Sequence, residues 1–90
     1  MTVARRFVVR GRVQGVGYRF FALTCAEALG VHGWVRNTAE DTVEVHAEGT
    51  AEQIDQLAFD LSRGPRYARV SHIDATDVPV EGHTDFRQVR

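Results

Sequence analysis

With 90 residues the chain is shorter than an average domain, so it is read as one domain over residues 1 to 90 and a multidomain machine is excluded. At 43% hydrophobic and 26% charged residues it has the composition of an ordinary soluble globular protein, not of a disordered, collagen-like or disulfide-stapled chain. Its 11 basic and 12 acidic side chains leave a formal charge of -1, which excludes the broad cationic field of a nonspecific nucleic-acid binder and makes any anion chemistry local.

Residues 3 to 13 place Phe7, Val9 and Val13 on one side at period two and Arg6, Arg10 and Arg12 on the other, the pattern of a first strand. A turn follows at Gly15 and Gly17. From Tyr18 the apolar positions Tyr18, Phe21, Ala22, Cys25, Ala26 and Leu29 fall on one helical stripe, closed by Gly30. Val31 to Asn37 reads as a second strand carrying Trp34. Val43, Val45 and Ala47 alternate with Glu44, His46 and Glu48 in a third.

Thr50 with Gln53 three residues on forms a capping box for a second helix, in which Ile54, Leu57, Ala58 and Leu61 share a face before Gly64 and Pro65 end it. Ala68 to about Ala75 reads as a fourth strand and Thr84 to Val89 as a short fifth. The order β-α-β-β-α-β with one extra strand predicts an α+β, ferredoxin-like sandwich: two helices on one face of a four- to five-stranded, mainly antiparallel sheet. A right-handed first crossover makes strands one and two parallel with strand three between them. The turn at residues 15 to 19 and Asn37 then share one edge, where a site can form.

Gly11-Arg12-Val13-Gln14-Gly15-Val16-Gly17-Tyr18-Arg19 runs from strand through turn into helix, so the amides of Gly15, Val16, Gly17, Tyr18 and Arg19 include free donors at a helix N-terminus. The dipole disfavours a cation in a first turn, so Arg19 there points to a bound anion, which its guanidinium fork matches. Nucleotide signatures fit badly: Phe20 stands where Gly-x-Gly-x-x-Gly needs its third glycine, and no Gly-Lys-Ser/Thr is present. Gly33-Trp34-Val35-Arg36-Asn37-Thr38 supplies a neutral amide, donor and acceptor at once, suited to orienting water.

Through these two stretches, and Gly64-Pro65 followed by Ala68-Arg69-Val70, the sequence closely resembles the acylphosphatase family over roughly residues 7 to 75. The resemblance implies hydrolysis of a small acyl phosphate to a carboxylate and inorganic phosphate, with no metal and no cofactor. Arg19 and the amides of residues 15 to 19 would hold the phosphate, and Asn37 would position the attacking water. The chain departs from the family at Glu40-Asp41-Thr42, where Asp-Gly-Thr is common, and at Gln88, where an aliphatic residue is common; the latter weakens only the fifth strand.

Gln14 is read as shaping the turn, and Tyr18 and Phe21 as core. Cys25, the sole cysteine, is expected to act as a small buried hydrophobe, and a reducing, cytoplasmic setting fits it. His32, His46, His72 and His83 fall in separate elements without paired ligand spacing, so solvated or edge positions are expected and no metal is implied. The apolar stretch Phe7 to Val9 is too short for a membrane span, and no membrane partner is expected. RNA recognition, the other use of this strand order, needs aromatics that Val43-Glu44-Val45-His46-Ala47 lacks. A phosphate or carbamoyl-phosphate sensor without turnover is the remaining rival. The expected partners are therefore a small acyl phosphate and phosphate, with no nucleic acid, and the expected state is a monomer.

Overall fold

The computed structural model describes residues 1 to 90. The elements run β1 (Val3–Arg12), α1 (Tyr18–Leu29), β2 (His32–Asn37), β3 (Val43–Gly49), α2 (Ala51–Arg63), β4 (Arg69–Val78) and β5 (Phe86–Gln88). The sheet order is β4-β1-β3-β2-β5. β3 is antiparallel to both β1 and β2, so those two run parallel, as the crossover argument requires. β4 adds antiparallel to β1, and β5 adds parallel to β2.

Period two sorts the sheet into two faces. Phe7, Val9, Val35, Val43, Val45 and Ala47 form one core with Ala22 and Ala26 of α1 and Ile54, Leu57 and Leu61 of α2. The opposite face is polar at its middle, where Arg6 and Arg36 both reach Glu44, at 3.4 and 2.6 Å.

The two helices are capped in opposite ways. α2 closes itself: Thr50 Oγ1 accepts from the Gln53 amide at 3.1 Å while Gln53 Oε1 accepts from the Thr50 amide at 2.8 Å. The same Gln53 side chain donates to Leu29 O at 2.9 Å, sealing the end of α1 as well. By contrast, α1 starts at Gly17 with no side-chain cap and no acidic residue in its first turn. Its first turn is anchored from the other side, where the buried Tyr18 hydroxyl donates to Leu61 O at 2.6 Å.

Four expectations need correction. β4 runs to Val78 instead of ending near Ala75, because β1 offers partners as far as the pair Ala4 and Val78. β5 is three residues long, and its polar Gln88 faces the site, since it repeats at period two from buried Phe86. Cys25 is half-buried at the border of α1, not sealed in the core. Among the histidines, His32 and His72 are exposed as expected, but His46 is fully buried, because the chain after β4 crosses over the polar face of β3.

Candidate active site

The turn between β1 and α1 is built from two glycines in the left-handed region, Gly15 at φ 74° and Gly17 at φ 79°. Each faces open space, so their absent side chains leave room above the backbone, and the positive φ turns successive amides outward. Among the turn and cap bonds the first amide of this segment to find an acceptor is Phe21, which donates to Gly17 O at 3.1 Å. The amides before it are the donors available to an anion.

A cleft of about 240 Å³ opens over this turn, lined by Val13, Gly15, Gly17, Tyr18, Arg19, Phe20, Asn37 and Gln88. Arg19 and Asn37, 18 positions apart, thus share one wall with the glycine turn, as the topology requires. Arg5, Arg6, Arg10, Arg36 and Arg87 each pair with a carboxylate, whereas Arg19 pairs with none. Its charge is therefore available in the cleft. Asn37 Oδ1 is buried and has no hydrogen-bond partner. An orphaned acceptor of that kind costs about 1 to 3 kcal/mol unless something in the cleft satisfies it.

The remaining expected residues divide by which atoms they offer. Tyr18 is committed to Leu61 through its hydroxyl, and burial followed by the nearby Cys25 pushes its pKa far above the ordinary tyrosine range, so it stays protonated. It offers the anion only its amide. Val16 belongs to the same turn, but its side chain packs against the core and does not line the cleft. Three lining residues lay outside the expected site: the core residue Val13, Phe20 and Gln88. Phe20 stands exposed at the rim, and Gln88 brings a second carboxamide from β5. The period-two spacing from Phe86 was the signal that could have found Gln88.

Gln14 couples the two halves of the site. Its Nε2 donates to Thr38 O at 3.0 Å and to Thr42 O at 2.9 Å, joining the glycine turn to the hairpin that immediately follows Asn37. That hairpin is closed by Thr38 N–H to Thr42 O at 2.9 Å and by contact of the two threonine hydroxyls at 2.6 Å. Asp41 takes φ 64°, a left-handed conformation that aspartate tolerates, so the turn keeps a shape suited to glycine without having one. The cleft holds no carboxylate, histidine or cysteine. Its chemistry is that of a cation, a set of amides and two carboxamides: binding, orienting and stabilising negative charge.

The family model described as Acylphosphatase matches residues 5–88. An acylphosphatase of Bifidobacterium longum is 44% identical over 82 residues, covering 91% of this chain and 84% of the relative. Another, of Methanothrix thermoacetophila, is 44% identical over 87 residues and covers 97% of each. Among solved structures, the crystal structure of acylphosphatase from Bacillus subtilis superposes with a TM-score of 0.95 at 34% identity, over 98% of this chain and 99% of that one.

Proposed function

The chain belongs to the acylphosphatase family and hydrolyses acyl phosphates, and from the geometry of the cleft we propose how its residues do so. The phosphoryl group sits over the glycine turn. The amides of Gly15, Val16, Gly17, Tyr18 and Arg19 and the Arg19 guanidinium donate to its oxygens. The carbon end of the substrate leaves through the open mouth beside Phe20. Asn37 accepts a hydrogen bond from a water through Oδ1 and holds it in line with the bond from phosphorus to the carboxyl oxygen.

Attack forms the new bond from water oxygen to phosphorus as the bond to the carboxyl oxygen breaks. The carboxylate departs with the bonding pair, and the water's proton passes to a phosphoryl oxygen. Little else is needed, because a carboxylate is already a good leaving group and the transition state is loose, with charge spread over three equatorial oxygens. Donors fixed in place before the reaction stabilise that charge without reorganising. With no carboxylate or imidazole among its lining residues, the cleft offers no ligand set for a catalytic metal, and the reading is of metal-independent hydrolysis without a cofactor.

The observation that carries these roles is the buried, unpartnered Oδ1 of Asn37 in the same cleft as the unpaired Arg19. The buried side chains form one continuous core, which supports residues 1 to 90 acting as a single domain. No helix is long and apolar enough to cross a membrane. A lone, free cysteine fits action in the cytoplasm.

The test is hydrolysis of benzoyl phosphate in EDTA by the wild-type protein beside Arg19→Ala and Asn37→Ala. Fast turnover that both substitutions abolish supports the assignment. Turnover requiring added Mg²⁺, or unchanged in either variant, overturns it.

A further inference from the structure

Two acid-base side chains are buried on the sheet face that carries no helix. His46 is fully buried and Glu48 is 4% exposed. The chain after β4 wraps over them, and the amides of Glu81, Gly82 and His83 all donate to the Glu48 carboxylate, the latter two at 3.1 and 2.9 Å. The same wrap brings the side chains of Glu81 and His83 against the buried pair. His46 Nε2 lies 2.8 Å from Glu48 Oε2 and 3.5 Å from Glu81 Oε1, and His83 Nε2 lies 2.7 Å from Glu81 Oε1. One ligand atom from each of the four residues falls within 4.8 Å of the others.

Pinning the loop accounts for Glu48 but not for the other three. An apolar residue at position 46 would fill the space under Trp34, which stacks on the imidazole at 5.7 Å, without burying a polar ring whose Nδ1 has no partner. The charge balance is also unusual. Every arginine that pairs with an acid pairs elsewhere, so Glu48 and Glu81 face two imidazoles and no fixed cation. Burial raises the Glu48 carboxyl, but hydrogen bonds from His46 and the three amides outweigh it and bring it down to about 2.

We propose that His46, Glu48, Glu81 and His83 bind one divalent metal ion of the zinc class, in a site that nothing in the hydrolytic reaction uses. Two imidazole nitrogens and two carboxylate oxygens are a donor set that zinc accepts in tetrahedral geometry, with bonds of about 2.0 to 2.2 Å. Such bonds put neighbouring ligand atoms about 3.4 Å apart, so the contacts of 2.7 to 3.5 Å shift by well under an ångström, while the set, now within 4.8 Å, draws in by up to about 1.4 Å at its widest pair. The ion would replace the protons now shared across those contacts and neutralise two carboxylates. Entry is open on one side, where the Glu81 and His83 side chains are 48% and 32% exposed.

The ion would act on the fold and not on the reaction. Along the hairpin, Asn37 pairs with Val43 at one end while His32 pairs with Glu48 at the other, so the cluster and the hydrolytic cleft occupy opposite ends of β3. A bound ion would clamp the crossing segment that leads into β5. Titrating untagged, EDTA-stripped protein with Zn²⁺ by calorimetry should give one ion per chain and a raised melting temperature.

His83→Ala and Glu81→Gln change partly exposed ligands and should keep benzoyl phosphate hydrolysis, which proves them folded, while each weakens zinc binding about tenfold or more. X-ray absorption of the loaded protein should report two imidazoles in the first shell. No stoichiometric binding overturns the site, as does zinc held equally well by both variants, which would place it at other surface groups. Either result leaves the phosphate cleft untouched, because hydrolysis is measured separately in EDTA.

Discussion

Arg19 and Asn37 line one cleft, but the proposed mechanism gives them different parts of the reaction, and substitutions should separate them. Arg19 supplies the only formal charge in the cleft, and a planar fork meets two phosphate oxygens where an ammonium meets one. Arg19→Ala is expected to lower kcat/KM by the equivalent of about 2 to 5 kcal/mol, with Arg19→Lys recovering only part of it, and both should weaken inhibition by phosphate. Steady-state kinetics with phosphate as inhibitor checks this. In the proposed mechanism Asn37 holds water and not phosphate, so Asn37→Ala should lower kcat about 100-fold or more and leave the phosphate inhibition constant nearly unchanged. Cys25 belongs to neither task. Burial, and then the neighbouring Asp60, push its thiol above the ordinary cysteine range, so less thiolate is present at neutral pH. Labelling by a thiol reagent at pH 7 should be slower than that of free cysteine, and blocking the thiol should leave the cleft's chemistry in place.

At the scale of elements, the site depends on how the β1–α1 turn is tied to the β2–β3 hairpin. Gln14 makes that tie with two bonds to carbonyls at 3.0 and 2.9 Å. Gln14→Ala removes both donors, and at about 0.5 to 1.5 kcal/mol for each bond the stability loss should be about 1 to 3 kcal/mol in urea denaturation. Because the freed hairpin begins just after Asn37, kcat should fall by more than the affinity for phosphate does. That split distinguishes a positioning residue from a merely structural one. The hairpin itself carries a small strain at Asp41, whose φ of 64° costs a residue with a side chain about 1 to 2 kcal/mol. Asp41→Gly relieves it but adds disorder to the unfolded chain, so stability should rise by no more than about 1 kcal/mol, with hydrolysis unchanged. A large loss of activity would give the Asp41 carboxylate a role at the substrate edge.

Over the whole molecule, what was legible in the sequence is what repeats locally. The apolar stripes of α1 and α2, the Thr50 and Gln53 box and the alternation in β1 and β3 each rest on neighbours within a few residues, and the fold follows from them; the right-handed crossover then brings the glycine turn and Asn37 to one edge, and the family motifs suggested what they do there. Missing were features created where distant segments cross: Gln88 entering the cleft from β5, and His46 sealed beneath residues 81 to 83. Alternation marks His46 as facing away from the helices, but not that a later segment covers that face. The distribution of titrating groups is likewise a property of the whole molecule, and it governs the pH dependence. His72 lies exposed on edge strand β4, while His32 contacts the backbone of His83 at 3.1 Å beside the crossing segment that covers His46. None lines the cleft, and neither does any carboxylate. Arginine and asparagine keep one protonation state throughout the neutral range. Once the substrate's own phosphate is fully ionised, kcat should therefore vary by less than about twofold between pH 6 and 8, since no group near the ordinary histidine value of about 6.5 takes a proton in the reaction. A pH–rate profile on benzoyl phosphate measures it. A limb near pH 6.5 that vanishes in a histidine variant would require a base reaching the cleft, and would replace the phosphate's own oxygen as the acceptor of the water's proton.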